Sequence, residues 1–260
     1  MSAQSFTTAT VSLRQTRLFR YLPLLLLALA WEASSRLALI SEHALPPLSQ
    51  VLVAWFRLAA GGDLFIHGAN SLYRTGAGLL LAIAVGSVVG ILIGWSRTLD
   101  VIIGPLVRML YPMPKSALIP IMALWLGFGD GSKIVLIFLG CMLPVAISGY
   151  NGARGTEETL VWSAKSLGAS QFAILIDVVL PSALPELLSG IRIALATSFI
   201  LLVSSEFIAA RKGLGYMIGV LGEGGVYDAM FAAVLTVALL GFIADRLYLL
   251  LMRRVLRWQG

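Results

Sequence analysis

The chain has 260 residues, of which 58% are hydrophobic and 12% charged, whereas soluble domains run at roughly 45–50% apolar and about 25% charged. With a mean hydropathy of +0.91, this composition excludes a water-soluble globular fold. The net charge of +6 does not point to nucleic acid, because Lys and Arg sit mostly at the ends of apolar runs, as membrane topology requires.

Six segments approach the twenty or so apolar residues that a spanning helix needs. The first, Leu18 to Ile40, follows Arg14, Arg17 and Arg20. Within it, Ala28-Leu29-Ala30 resembles a signal-peptide processing site, but the apolar run continues past it to Ile40, which favours an uncleaved anchor. The stretch Ala44 to Pro47 stops any helix, and Val51 to Leu58 reads either as a short amphipathic helix at the outer surface or as a plain connector.

The second and third spans are Thr75 to Trp95 and Val101 to Leu126. Gly86, Gly90 and Gly94, four residues apart, mark either a dimer seam or close packing inside one subunit. In the third span, Pro112, Pro114 and Pro120 predict a kink, and Arg108 and Lys115 fall on nearly one helical face. Irregular backbone at membrane depth is tolerated beside a cavity or a protein neighbour, so Tyr111, Met113 and Lys115 are candidates to line a translocation pathway. A Gly-rich turn, 127–132, leads into the fourth span, Ile134 to Tyr150.

The segment 151–186 is amphipathic and stands between membrane spans. Ala164, Leu167, Phe172, Leu175, Ile176 and Val179 recur at helical spacing, with Lys165, Ser166, Ser170, Gln171 and Asp177 on other faces. Gly168 predicts a turn between two short helices, and Pro181 and Pro185 predict the end of the second. An apolar stripe in water must press against another protein.

The fifth and sixth spans are Leu187 to Ile208 and Met230 to Met252, joined by an outer segment over 209–228. Ionisable groups inside spans are functional candidates by default. Ser204, Ser205 and Glu206 therefore read as either an outer gate that meets the solute or a structural set in which Glu206 pairs with Lys115, Lys212 or a backbone group. Arg108 and Arg192 read as snorkelling to the inner surface. The last span ends in Arg253, Arg254 and Arg257, so the positive-inside rule and an even number of spans place both termini, and with them 151–186, in the cytoplasm. Arg36, Arg57, Lys133, Arg211 and Lys212 weaken this bias, since they fall on the outer side.

Several stretches resemble a known family. Ser163 to Ser170, continuing through Val179-Leu180-Pro181 to Pro185 and Gly190-Ile191-Arg192, is similar to the cytoplasmic signature of binding-protein-dependent ABC import permeases. Tyr111 to Lys115, Leu118 to Pro120, Leu124 to Gly129, Ser132 to Ile134 and Gly213 to Tyr216 resemble the nitrate, sulfonate and taurine branch. The resemblance spans about 70–258. It implies an all-α type I importer permease of about six spans, forming one domain over 1–260 in a bacterial inner membrane. It also implies a second permease copy, two ATPase subunits that carry the ATP and Mg, and an outer solute-binding protein.

The resemblance assigns ATPase contact to Trp162, Ser163, Ala164, Lys165, Leu167, Gly168, Ala169, Ser170, Phe172 and Pro181. Trp162 stands where the family has an acid and Ser163 where it has an alanine, so shape and apolar packing should dominate that contact. The chain itself has no catalytic or metal residues in this reading and, with no Gly-x-x-x-x-Gly-Lys loop, no ATP site. Cys141, the single cysteine, reads as a small core residue. A gradient-driven transporter is the rival, disfavoured by the lack of an internal repeat. An intramembrane serine hydrolase is weaker still, since no span holds a histidine base.

Overall fold

A computed structural model describes residues 22–259. Arg14, Arg17, Arg20 and the start of the first expected span lie outside the described residues. The first helix described, α1 (Leu22–Arg36), is followed by α2 (Leu48–Ala60), with Pro46 and Pro47 between them. Glu32 of α1 fastens this junction by accepting hydrogen bonds from the Ser49 amide and hydroxyl at 3.0 and 2.8 Å.

Four continuous helical stretches are long and apolar enough to cross a membrane. They are α3 (Asp63–Trp95), α6 (Asp130–Arg154), a 39-residue run that ends in α9 (Leu180–Ala209), and α11 (Tyr227–Val255). The expected third span is instead a broken pair, α4 (Arg97–Leu110) and a second limb over Lys115–Leu126, bent by 87°. That limb is one 3₁₀ turn followed by α5 (Ile119–Leu126). Pro112 and Pro114 stand at the break, where they remove amide donors that a straight helix would need.

Helix α3 begins twelve residues before the apolar run does. Its first turns carry His67, Ser71 and Arg74, which hydropathy scores as loop, yet all three are hydrogen-bonded to the far end of α9 or the chain that follows it. Tertiary pairing makes that polar segment helical.

The core is built by α3, α6 and α9. Helices α3 and α6 run parallel along a seam of small residues. A Cβ on Gly78, Gly86 or Gly94 would stand 2.7–2.8 Å from α6, and one on Gly90 would overlap the Ala146 backbone. The glycine stripe therefore serves close packing inside one subunit. Helix α9 returns antiparallel, with Gly190 against Ser148 and Pro144, and Gly152 of α6 against Ala183. Helix α11 lies outside this trio, tied to α9 by Tyr248, whose hydroxyl donates to Leu188 O at 2.6 Å, and by the Arg192–Asp245 pair at 2.8 Å.

The bundle thus has two distinct ends. At one lie the starts of α3 and α6, the end of α9, and α10 (Leu214–Glu223), which occupies the expected outer segment. At the other lie Trp95, Arg154, the end of α11 and the protruding segment over 157–181.

Candidate functional site

The protruding segment forms two short helices around a tight turn. Helix α7 (Glu158–Ser166) ends at Gly168, whose φ of 82° is left-handed, and α8 (Gln171–Ile174) starts under a cap in which Ser170 Oγ accepts from the Ala173 amide at 3.2 Å. Glycine suits that turn because a Cβ there is strained. A Cβ would meet nothing within 4 Å, so the residue is open to an approaching surface as well as free to turn.

Beyond α8 the chain does not stop at Pro181. Leu175–Val179 forms one wide π turn, and Pro181 follows it within the same helical run. The expected end of the second helix is therefore a bulge inside a continuous 39-residue helix, which joins the knob to α9 without a break.

The apolar residues of this knob divide between two directions. Ile174 and Val179 are fully buried, and Ala164, Ala169 and Leu175 pack against the main core. Leu167, Phe172 and Trp162 point outward, with 88, 72 and 64% of their surface exposed, and Ile176 is also exposed. Lys165 lies over the Trp162 ring, 5.4 Å from its centre. Ser163 and Pro181 are exposed at the edges. What sequence spacing presents as one stripe is an inner half that seats the knob and an outer half that is left bare.

At the break between α4 and α5, the Lys115 ammonium donates to the carbonyls of Leu110, Tyr111 and Met113 at 2.7, 3.2 and 2.6 Å. Its three N–H groups thereby satisfy backbone acceptors that the bend releases. Tyr111 and Met113 are exposed beside it.

At the opposite end, Glu206 is 0% exposed and sits in a full set of donors. Arg74 Nη1 donates to its carboxylate at 2.7 Å, the Gly215 amide at 3.0 Å, and the Ser71 hydroxyl lies within 2.9 Å of both oxygens. Arg74 also pairs with Asp130 at 2.7 Å and donates to Lys212 O at 2.7 Å. Lys133, buried nearby, donates to Phe128 O at 2.7 Å and to Ala209 O, capping the last turn of α9 with a cation. The two cations and two carboxylates sum to zero.

Gly213 (φ 121°) and Gly215 allow this approach, because a Cβ on the first would overlap the Glu206 carboxylate and on the second would stand 2.6 Å from Val203 O. The Gly213 amide donates to His67 Nδ1 and that of Leu214 to Ser71 Oγ, so the start of α10 is held by α3 as well as by Glu206 of α9.

This geometry leaves Glu206 no free face for a solute. Ser205 is likewise buried and donates to Leu202 O at 2.9 Å, while Ser204 is half-buried. Of the sequence candidates, the structure gathers those of 162–181 into one knob, with Ala164 and Ala169 turned to the core, and those of 111–115 into one bend, and sets 204–206 at the other end of α9. Arg74 and Asp130 are the partners that sequence reasoning missed. The available signal was an arginine one residue before an apolar run, at the same membrane level as an in-span acid. Arg108 and Arg192, read from the sequence as snorkelling, are exposed and each has an acidic neighbour, Asp100 at 3.5 Å and Asp245 at 2.8 Å.

Four helices long and apolar enough to cross a membrane, with a broken pair beside them, define a multi-pass membrane protein. The chain belongs to the family described as binding-protein-dependent transport system inner membrane component, whose model matches residues 78–257. It is 37% identical over 242 residues to the taurine transport system permease protein TauC of Escherichia coli, covering 91% of this chain and 88% of that one. It is 34% identical to the putative aliphatic sulfonates transport permease protein SsuC of Bacillus subtilis, covering 92% and 86%. Among solved structures, a permease chain of the MetNI methionine ABC transporter in an inward-facing conformation matches with a TM-score of 0.61 at 21% identity, over 73% of this chain and 94% of that one. The fold is that of an ABC importer permease in the inner membrane.

Proposed function

We propose that this chain forms the translocation pathway of an ATP-driven importer and is moved by a separate ATPase that docks on the knob. The observation that carries this reading is the bare outer half of the knob: Trp162, Leu167, Phe172 and Ile176 are all exposed on the segment that turns at an open Gly168. An apolar surface of that kind in water calls for a protein partner. The seating of Ile174 and Val179 in the core, and the unbroken helix from Gln171 to Ala209, supply a rigid lever by which motion of the knob reaches the membrane.

The knob faces the cytoplasm in this proposal. Exposed Arg97, Arg154, Arg253 and Arg254 stand at its end, while Arg74 and Lys133 at the opposite end are buried and balanced by Glu206 and Asp130. Arg36, Arg57, Arg211 and Lys212 are the exposed cations left there, with Arg36 paired to Glu32 at 2.6 Å. The chain acts as one permease domain, with 151–186 as its coupling segment. Two copies form the pore, two ATPase subunits carry ATP and Mg, and a binding protein delivers the solute from outside. The broken span at Tyr111–Lys115 lines the pathway, and a change in its bend opens and closes it.

The names of the 34–37% identical relatives support a small sulfonate, taurine first, as the solute. The test is uptake of labelled taurine by proteoliposomes holding the purified transporter and its binding protein. ATP-dependent accumulation is expected. Uptake by the isolated chain on an ion gradient, without ATP, would overturn the proposal.

A further inference from the structure

A slot of about 200 Å³ opens between α3, α4 and α6 at the knob end of the bundle. Its walls are apolar, from Ile93, Val107, Ala146 and Ile147, and its mouth carries Asp100, Arg108 and Tyr150. Arg154 stands beside this mouth, on the last turn of α6.

The charges at the mouth do not balance. Asp100 is the single acid shared by two guanidinium groups, Arg108 at 3.5 Å from one oxygen and Arg154 at 3.7 Å from the other. Tyr150 donates to it at 3.3 Å. The same molecule pairs Arg74 with Glu206 at 2.7 Å, so the arginines at the mouth are loosely held. Both are more than half exposed, at 59 and 52%. One positive charge remains over, and Arg97 adds another one turn before Asp100 on α4. Two arginines offer forked N–H donors suited to phosphate oxygens.

The slot also lies at a defined depth. The apolar runs of α3 and α6 end at Trp95 and Arg154, and the water-exposed knob follows directly. Cationic groups at the rim and a greasy cleft on the membrane side match a phosphate head with an acyl chain below it. Helix α4 is thinly held otherwise, with Gly104 its one buried residue.

We propose that this slot binds an anionic phospholipid, with its phosphate on the N–H groups of Arg108 and Arg154 that Asp100 leaves free and part of one acyl chain against Ile93, Val107 and Ile147. The lipid fills the gap between α4 and α6. This goes beyond the import assignment and depends on the chain being embedded in a membrane with this face open to lipid.

The test is native mass spectrometry of the purified transporter, delipidated and then titrated with phosphatidylglycerol, phosphatidylcholine or inorganic phosphate. Phosphatidylglycerol should be retained at least several-fold better than phosphatidylcholine. Arg108→Gln with Arg154→Gln should remove that preference, and Ile147→Trp, which fills the slot while sparing both arginines, should reduce retention. Arg108→Lys, which keeps the charge at an exposed position, should retain most of it. Equal binding of the two lipids, or unchanged selectivity in the double variant, overturns the proposal. So does displacement by inorganic phosphate with no effect of Ile147→Trp, which would mark a phosphate-only site. A disulfide between two copies through Val107→Cys would show the slot covered by protein and overturn it as well.

Discussion

Arg74 Nη1 lies 2.7 Å from Glu206 Oε1, with 5 and 0% of the two side chains exposed. This pair joins the start of α3 to the end of α9, and through Asp130 and the Gly215 amide it also holds α6 and α10. Breaking one partner of a buried pair leaves an uncompensated charge, at a cost of about 3–5 kcal/mol. Arg74→Met and Glu206→Met should therefore each lower the thermal midpoint of the purified protein sharply. The double variant should recover part of the loss, as a thermal melt in detergent would reveal. A double variant as unstable as the sum of the singles would show that the two residues act independently.

Gly213 tests the same node through the backbone. Gly213→Ala places a Cβ on the Glu206 carboxylate at a φ of 121°, so it should destabilise by about 2 kcal/mol or more, strain and lost bonds combined. Gly131→Ala, with open space around its Cβ, should change stability by less than about 1 kcal/mol. The comparison is made in one melting experiment, and equal midpoints would remove the special role of Gly213.

The α3–α6 seam yields a third contrast. Gly90→Leu must push the helices apart at Ala146, whereas Gly76→Leu meets nothing within 4 Å. Overpacking costs about 1–3 kcal/mol, sometimes more. The first variant should fold poorly and the second normally, read by the fraction recovered as a monodisperse peak on size exclusion.

Helix existence in the apolar runs, the break after Leu110 and the Gly168 turn were all legible in the sequence, because hydropathy, proline and glycine act locally. The polar start of α3 was not, since His67, Ser71 and Arg74 are helical through partners more than 130 residues away. The same distance hid the Arg74–Glu206 pair. At the knob, helical spacing found the apolar residues of 162–181 but could not say that Val179 faces inward and Leu167 outward. The π turn over Leu175–Val179 shifts that phase by one residue.

Lys115 tests the bend at Tyr111–Pro114. Lys115→Met strips three carbonyls of a charged donor, and hydrogen bonds to a charged group contribute about 1.5–3 kcal/mol each. Because these bonds are exposed to water, their loss should weaken the bend by about 1 kcal/mol. Uptake should fall accordingly, while the protein still copurifies with its ATPase. Normal uptake with this variant would separate the bend from transport.

The most direct measurement is capture of the ATPase by the knob. Leu167→Asp and Phe172→Asp alter side chains that are 88 and 72% exposed, so the permease should fold and insert as before. Gly168→Asp fills the open turn, and Asp tolerates the left-handed backbone there better than most residues. Each variant should be recovered from membranes at the normal level, should copurify with at least tenfold less ATPase, and should lose uptake. Full copurification and normal uptake in all three would contradict the account.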